Sequence, residues 1–240
     1  MVLALDSSTT ALSLALWQAG RVLSSRWFFP PERSSVVLPE AAFAMLEEQG
    51  LEAAHLSGLA VGLGPGSFTG LRVGLSMAKA LAYAASLPLA GVSSLAALAL
   101  EGPVGQPLWA TGVFRQGEVF AGLFLHTPEG KVEVLEAEQT FKIPQLARRL
   151  QQLPPSLALG FGIHSFRDAF LAEGVPSLQL LEQPIWPSAA AIAQLARFEP
   201  FDKEALFALA PSYLRGSGAE ENPLFAPKAH NATPKRGDTP

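Results

Sequence analysis

Apolar and polar residues alternate along the start of the chain with the two-residue period of β-strands. Leu12, Leu14 and Leu16 stand between small or polar neighbours. An apolar run ends at Asp6, and Ala19-Gly20 makes a turn before a further strand. The strands predicted here are residues 2–5, 11–17 and 21–28. We therefore expect the chain to begin with an antiparallel meander of three strands.

Farther along the chain the apolar positions recur every three or four residues, which indicates helices. The first such stripe predicts a helix over residues 35–49, with Ser34 or Ser35 as its cap and Gly50 as its stop. Its members are Leu38, Ala42, Met45 and Leu46. A stripe of this kind buries one face of the helix and leaves the other face polar.

A glycine-proline loop, Gly62–Gly66, joins a short buried strand over 58–62 to a long helix over 69–86. Ser67 or Thr69 is in position to cap this helix. Small residues four apart form one ridge of the helix: Gly70, Gly74, Ala78 and Ala82. Such a ridge lets another backbone approach closely, which suits either this chain's own sheet or the helix of a partner.

The predicted elements follow the order β-β-β-α-β-α-β-α and then repeat a similar order more weakly. The second half is expected to hold strands at 108–114, 119–126, 131–135, 157–159 and 178–180, and helices at 144–153, 165–173, 188–198 and 204–208. We expect an α/β fold of two lobes, each with a mixed sheet flanked by helices, as in the ribonuclease-H-like lobes of actin-like ATPases and sugar kinases. The predicted lobes are residues 1–103 and 104–215, and the polar, proline-rich residues 216–240 are predicted to be a disordered tail.

Composition restricts the function more than it restricts the fold. The chain has 240 residues, of which 49% are hydrophobic, a net charge of −4 and no cysteine. These values exclude disulfides and a catalytic thiol, and they argue against strong nucleic-acid binding by this chain alone. The first residues lack the basic region of a signal peptide, and no apolar run reaches the ~20 residues of a membrane span. We expect a cytoplasmic protein without membrane contact.

Two polar stretches are candidates for contact with a phosphate group. Asp6 and the hydroxyls after it follow a strand end, where they can face a phosphate or its magnesium ion. The glycine-proline loop opens into a helix whose first N–H groups favour an anion. The candidate residues are Asp6, Ser7, Ser8, Thr9, Gly64, Gly66, Ser67 and Thr69. The alternatives are an aspartate that only caps its turn and a loop that only connects strand to helix.

Several motifs of catalysis are absent from the sequence. It contains neither a Walker A sequence nor the dinucleotide-binding fingerprint. The four histidines stand apart from one another, which argues against a metal site. Ser67 as a nucleophile would need a base that the neighbouring sequence does not provide.

Three stretches are informative when they are taken together and in order. They are residues 3–9 (Leu-Ala-Leu-Asp-Ser-Ser-Thr), 62–74 (Gly-Leu-Gly-Pro-Gly-Ser-Phe-Thr-Gly-Leu-Arg-Val-Gly) and 91–95 (Gly-Val-Ser-Ser-Leu), supported by Arg115, Glu118 and the run Tyr213-Leu214-Arg215. This set resembles the bacterial TsaB (YeaZ) family of tRNA threonylcarbamoyladenosine biosynthesis proteins. The chain departs from the family at 33–39, where a His-Ser pair is frequent. It departs again at 113–115, where Val-Phe-Arg replaces a frequent Asp-Ala-Arg and so removes a carboxylate.

The resemblance implies the actin-like fold and a non-catalytic role. Such proteins are scaffold or activator subunits that act with TsaD and TsaE to form N6-threonylcarbamoyladenosine at position 37 of tRNAs reading ANN codons, while TsaC supplies the carbamoyl-adenylate. The resemblance implies a heterodimer with TsaD, a homodimer when the chain is alone, and tRNA contact only through the complex. ATP or ADP with magnesium is expected only at the level of the complex, and no catalytic residue, metal or cofactor of the chain's own is expected.

The expected docking surface consists of the helices over 35–49 and 69–86. Its residues are Leu38, Ala42, Met45, Leu46, Gly70, Arg72, Gly74, Leu75, Ala78, Lys79 and Ala82. Two other functions stay open from the sequence. One is an ATP-binding phosphotransferase of the same fold, with Gly160-Phe161-Gly162 as its adenosine loop. The other is a peptidase that acts on a partner protein through Ser67.

Overall fold

The molecule contains two β-sheets. The strands of the first sheet precede residue 93, and those of the second follow residue 106. The computed structural model describes residues 1–29, 34–152, 156–181 and 185–214, without the side chains of residues 34–36. The predicted disordered tail, residues 216–240, lies outside the described residues. The prediction of two lobes, each with a mixed sheet flanked by helices, is confirmed.

The first sheet has five strands in the order β3-β2-β1-β4-β5. Their bounds are β1 (Val2–Asp6), β2 (Leu12–Gln18), β3 (Arg21–Phe28), β4 (Gly58–Gly62) and β5 (Leu89–Val92). The first three pair antiparallel and form the predicted meander. Strand β4 lies parallel to β1, and β5 lies parallel to β4, because a helix crosses over between each pair.

Helices cover both faces of the first sheet because its central strands, β1 and β4, are apolar and buried on both sides. On one face, Leu3 and Leu5 of β1 pack with α1 (Ser34–Glu48) and α2 (Phe68–Ala85). On the other face, Ala4 packs in a cluster with α7 (Ala189–Leu195). Alanines on this second face let the short, alanine-rich α7 lie close to the sheet.

The second sheet has four strands in the order β8-β7-β6-β9. Their bounds are β6 (Pro107–Arg115), β7 (Glu118–His126), β8 (Val132–Lys142) and β9 (Leu157–Leu159). Helix α3 (Ser94–Leu100) packs on one face with Phe120 and Phe124. The other face carries α4 (Ile143–Gln152), α5 (Phe161–Ser165) and α6 (Arg167–Ala172), which surround Trp109.

Several elements of the second half differ from their predictions, among them the helix predicted over 188–198, which ends at Leu195. Strand β8 runs on to Lys142, beyond the predicted end at 135, because it pairs with β7 almost throughout. The strand predicted over 178–180 is a single bridge between Ala158 and Leu180 after a 3₁₀ turn. Helix α5 was not predicted, because it is only five residues long and carries no periodic stripe.

The last part of the described chain returns from the second sheet to the first. Helix α7 packs on β1 and β2, and α8 (Lys203–Ala208) packs beside α2. The division of the chain between residues 103 and 104 stays a prediction. In space, however, the first lobe includes two helices that come from the end of the sequence.

Candidate functional site at the end of the first sheet

The polar turn and the glycine-proline loop meet at one edge of the first sheet. Strands β1, β4 and β5 are parallel, so their carboxyl ends lie side by side. Asp6 ends β1, Gly62 ends β4, and Ser93-Ser94 follows β5. In open α/β sheets this edge is where ligands usually bind.

Asp6 is completely buried, and its carboxylate is satisfied by neighbouring hydroxyl and amide groups. The Ser8 backbone N–H and hydroxyl donate to Oδ1 at 2.9 and 2.7 Å. The Ser94 hydroxyl donates to Oδ2 at 2.6 Å. The Gly64 N–H in turn donates to the Ser94 hydroxyl at 3.1 Å. Asp6 therefore ties its own turn to the start of α3 and, through Ser94, to the glycine-proline loop.

Burial raises the pKa of Asp6 above its ordinary value, and the hydrogen bonds from Ser94 and Ser8 oppose that rise only in part. Desolvation disfavours the charged form, while donors to the carboxylate favour it. Loss of contact with water is therefore the largest influence on the pKa of this carboxyl.

The glycine-proline loop packs directly against the turn after β1. The Ser67 N–H donates to the Ser8 carbonyl at 2.6 Å. A Cβ atom on Gly66 would overlap that same carbonyl, and one on Gly62 would overlap the Asp6 carboxylate. The two stretches are therefore in backbone contact.

Hydroxyl groups at the start of α2 and in the turn after β1 form hydrogen bonds with the chain's own backbone. The Ser67 hydroxyl accepts from the Gly70 N–H at 3.2 Å, so Ser67 rather than Thr69 is the cap. The Ser7 hydroxyl donates to the Gly70 carbonyl at 2.8 Å. The Thr9 hydroxyl donates to the Ala11 carbonyl at 3.0 Å. The structure brings the predicted phosphate-facing residues together, but contact with a phosphate stays a prediction.

The loop predicted as an adenosine site, Gly160–Gly162, also packs against its own lobe. The Ile163 N–H donates to the Thr111 hydroxyl at 2.9 Å. A Cβ atom on Gly160 would overlap the Thr111 carbonyl. Phe161 lies against Trp186, with ring centroids 6.0 Å apart, and Trp186 meets Phe29 at 5.2 Å. Aromatic rings thus connect this loop to the first lobe.

The residues predicted to face a partner from α1 and α2 lie mostly in the core. Those buried in the chain are Leu38, Ala42, Met45, Leu46, Gly70, Gly74, Leu75, Ala78 and Ala82. A Cβ atom on Gly70 would overlap the Ser7 carbonyl, so the ridge of small residues serves contact with the chain's own first turn. These side chains are buried because an amphipathic helix packs its apolar stripe against its own sheet, and the role of α1 and α2 in docking stays a prediction.

The other two predicted interface residues hold the end of the described chain. The Arg72 Nε donates to the Tyr213 hydroxyl at 3.1 Å, and its guanidinium lies 3.9 Å from the centroid of the Phe68 ring. The Lys79 ammonium donates to the Phe207 carbonyl at 2.8 Å. Sequence analysis placed Phe207 in a helix and Tyr213 in a family motif, but it did not pair either residue with α2.

Within the described residues, no group of three or more histidine, aspartate or glutamate side chains is placed to bind a metal ion. None of the helices in that same part of the chain has the length and apolar character needed to cross a lipid bilayer.

Comparison with known proteins agrees with the motifs. The family described as TsaD, tRNA N6-adenosine threonylcarbamoyltransferase, matches residues 31–111. The Escherichia coli tRNA threonylcarbamoyladenosine biosynthesis protein TsaB is 35% identical over 161 residues, which is 63% of this chain and 67% of that protein. The Bacillus subtilis protein of the same name is 31% identical over 162 residues, 66% of this chain and 70% of that protein.

A solved structure agrees over a longer part of the chain. It is that of a Pseudomonas aeruginosa protein described as similar to peptidase YeaZ. Its TM-score is 0.74 at 25% identity, and the match covers 89% of this chain and 99% of that one. By its motifs, its fold and its relatives, this chain belongs to the TsaB family of tRNA threonylcarbamoyladenosine biosynthesis proteins.

Proposed function

We propose that this chain is a non-catalytic scaffold or activator subunit, required with TsaD and TsaE to form N6-threonylcarbamoyladenosine at position 37 of tRNAs reading ANN codons. Membership of the TsaB family supports the pathway. The observation that supports a scaffold rather than an enzyme is the closed contact between the turn after β1 and the glycine-proline loop. Hydrogen bonds inside the chain occupy the Asp6 carboxylate and the Ser67 N–H.

The proposed partners follow the family. TsaD binds the chain as a heterodimer, TsaE joins the complex, and TsaC supplies the carbamoyl-adenylate in the cytoplasm. Without TsaD the chain forms a homodimer, and tRNA reaches it only through the complex. Any ATP or ADP with magnesium binds at the level of the complex.

Docking uses the outward sides of α1 and α2, because the opposite sides are buried. The exposed residues there include Glu40, Phe43 and Glu47 on α1 and Ser76 and Ala80 on α2. Phe43 is 54% exposed, and a large apolar side chain at that exposure on a polar helix face suits an interface.

The test is reconstitution of tRNA modification from purified TsaC, TsaD, TsaE and tRNA, with and without this chain. We expect modified adenosine, measured by mass spectrometry of nucleosides, only when the chain is present. Equal modification without the chain would overturn the proposed role. Titration of the isolated chain with ATP and magnesium is the companion measurement, and binding at micromolar concentration would favour the phosphotransferase alternative.

A further inference from the structure

The first sheet has a free edge along β5. Strand β5 is last in the strand order, and within the described residues it pairs only with β4. The Val92 carbonyl faces β4, where it accepts from the Leu63 N–H at 2.8 Å. Alternate residues of a strand direct their N–H and C=O groups to opposite sides, so those of Leu89 and Gly91 point away from β4.

Four backbone groups on this edge lack a hydrogen bond in the described part of the chain. They are the N–H and C=O groups of Leu89 and Gly91. Many proteins protect such an edge with a charge, a proline, a bulge or a covering segment. Strand β5 contains neither charge nor proline and pairs with β4 without a register shift. Its backbone is therefore open to a further strand.

An apolar groove accompanies the free edge. One wall is the backbone of β5, and the other is formed by α8 and the residues just before it. The apolar side chains of the second wall are Pro200, Phe201, Leu206 and Leu209. An extended segment that adds to an open sheet edge gains affinity from main-chain hydrogen bonds and specificity from pockets for its side chains. The groove offers both kinds of contact.

The residues of β5 are small where an added strand needs room. A Cβ atom on Gly91 would meet the side chains of Leu63 and Leu209, on the face that carries α2 and α8. Ala90 lies on the opposite face, in the cluster with α7. Large side chains of an added strand can therefore lie beside a glycine on one face and an alanine on the other, because cross-strand neighbours are close.

The described chain passes the carboxyl end of β5 shortly before it ends. The Ser212 N–H donates to the carbonyl of Leu63, the residue whose N–H bonds to Val92, at 2.8 Å. The last described residue is Leu214. The eight residues 215–222 reach up to about 26 Å when extended, whereas the four residues of β5 measure about 13 Å. The sequence that follows them can therefore enter the groove from the carboxyl end of β5.

Residues 223–227 read Pro-Leu-Phe-Ala-Pro and contain the large apolar residues that follow Leu214. In an extended strand, Leu224 and Ala226 direct their backbone groups to one side, and Phe225 and the two prolines direct theirs to the other. The first side keeps every N–H, while the second lacks two. A proline fits an edge strand only when its missing donor faces away from the sheet. The spacing of the prolines thus leaves one side complete for pairing.

We propose that residues 223–227 pair with β5 of the same chain as a short antiparallel strand. Leu224 lies opposite Gly91 and Ala226 lies opposite Leu89, and each of these pairs exchanges two N–H···O bonds. The antiparallel direction follows from the entry at the carboxyl end of β5.

The side chains agree with this register. Leu224 lies beside Leu209, on the face where Gly91 has no side chain, and Phe225 lies beside Ala90 on the face of α7. Burial of the two large side chains offsets the loss of conformational freedom in a segment that the sequence predicts to be disordered. The prolines lie on the new outer edge, where they prevent the addition of another strand.

Charge favours the same direction. One cation and two carboxylates line the groove, namely Arg197, Glu199 and Asp202, and they leave it negative by one. Phe198 lies against Gly58, the first residue of β4, which places these charges near the amino end of β5. Lys228 follows the segment directly and reaches that end only in the antiparallel arrangement.

The chain's own segment is favoured over a strand from another molecule. A segment tethered within reach of a groove has a high effective concentration there. The pairing is independent of the proposed role with TsaD, because it uses neither α1 nor the outward side of α2.

The test is amide hydrogen exchange of the full chain, measured residue by residue by NMR. In the unchanged chain we expect slow exchange at the N–H groups of Leu89 and Gly91. Leu224→Pro removes the donor to the Gly91 carbonyl, and exchange at both groups should become at least about tenfold faster. Asn231→Pro is the matched control, since it makes the same kind of change outside residues 223–227, and it should exchange like the unchanged chain.

A synthetic peptide of residues 221–229 tests the register. Added to the Leu224→Pro chain, it should restore slow exchange at Gly91. The same peptide with an N-methyl group on Leu224 should fail. An N-methyl group on Phe225 should have no effect, because that nitrogen faces away from β5. Thermal unfolding checks that the chain variants are folded.

Several outcomes would overturn the inference. Fast exchange at Gly91 in the unchanged chain, or slow exchange that Leu224→Pro leaves intact, would show that the segment does not pair with β5. Slow exchange that is lost on dilution of the protein would assign the added strand to a second copy. Slow exchange that arises only after addition of TsaD would assign the edge to that partner. None of these results changes the proposed role, which the reconstitution of tRNA modification tests separately.

Discussion

At the scale of single residues, Asp6 shows how a side chain typical of a phosphate site serves the interior. Its carboxylate accepts hydrogen bonds from Ser8 and Ser94 in a fully buried position. A buried carboxylate is tolerated only when donors satisfy it. The residue therefore joins the ends of β1 and β5 and positions the loop at Gly64.

Asp6→Asn tests this role through the pH dependence of stability. Burial raises the pKa of Asp6, so the folded state binds its proton more tightly than the unfolded chain does. The contribution of Asp6 is then fully present at pH values below its ordinary pKa and is lost as pH rises through the raised value. We expect the difference in free energy of unfolding between the unchanged chain and the variant to shift in favour of the unchanged chain as pH falls through the raised pKa of Asp6 toward its ordinary value, by at most about 1.4 kcal/mol per pH unit. Denaturant unfolding at several pH values measures this difference, and a difference that stays constant would contradict the prediction.

At the scale of elements, helix α2 contacts both the turn after β1 and the segment that ends at Tyr213. Its ridge of glycine and alanine faces the turn after β1, and its polar stripe carries the segment that ends at Tyr213. Glycine in the interior of a helix costs about 1 kcal/mol relative to alanine. Glycine is nevertheless required at position 70, because a Cβ atom there would overlap the Ser7 carbonyl oxygen.

Gly70→Ala is expected to lower the free energy of unfolding by about 1–3 kcal/mol, since the new Cβ meets a backbone carbonyl that cannot rotate away. Gly74→Ala should cost less, because its Cβ meets the Ser7 hydroxyl, which can rotate away at the cost of its hydrogen bond to the Gly70 carbonyl. Gly112→Ala is the control, since the nearest atom to its Cβ lies at 3.8 Å. Urea denaturation ranks the three variants, and a Gly70→Ala protein as stable as the Gly112→Ala protein would show that the contact with Ser7 is loose.

At the scale of the whole molecule, the first lobe depends on residues from the end of the chain. Helix α7 covers the alanine face of the first sheet, and Leu206 of α8 is buried in the cluster that holds Leu3 and Leu5. The Ala189 N–H also donates to the Ser13 hydroxyl at 2.8 Å inside this lobe. The lobes are therefore spatial units, while the chain crosses between them more than once.

A fragment of residues 1–103 is expected to lack a cooperative unfolding transition, because the alanine face of its sheet stays open to water. Joining residues 187–214 to this fragment through a glycine-serine linker should restore the transition. Circular dichroism during heating distinguishes the two proteins. Cooperative unfolding of the 1–103 fragment alone would show that its sheet needs neither α7 nor α8.

The sequence by itself determined the features that depend on near neighbours. The three-strand meander follows from the alternation at Leu12, Leu14 and Leu16, and the start of α2 follows from a capping serine after a glycine-proline loop. Family membership also came from the sequence, because motifs such as residues 62–74 occupy consecutive positions.

Only the tertiary structure decided which groups those elements face. The periodicity of α2 could not tell a partner's helix from the Ser7 backbone, which is 63 residues from Gly70 in sequence. It also could not show that Arg72 meets Tyr213, 141 residues away, or that α7 closes the first sheet. Local patterns fix the period and the ends of an element, whereas its neighbours depend on contacts that form only when distant parts of the chain pack together.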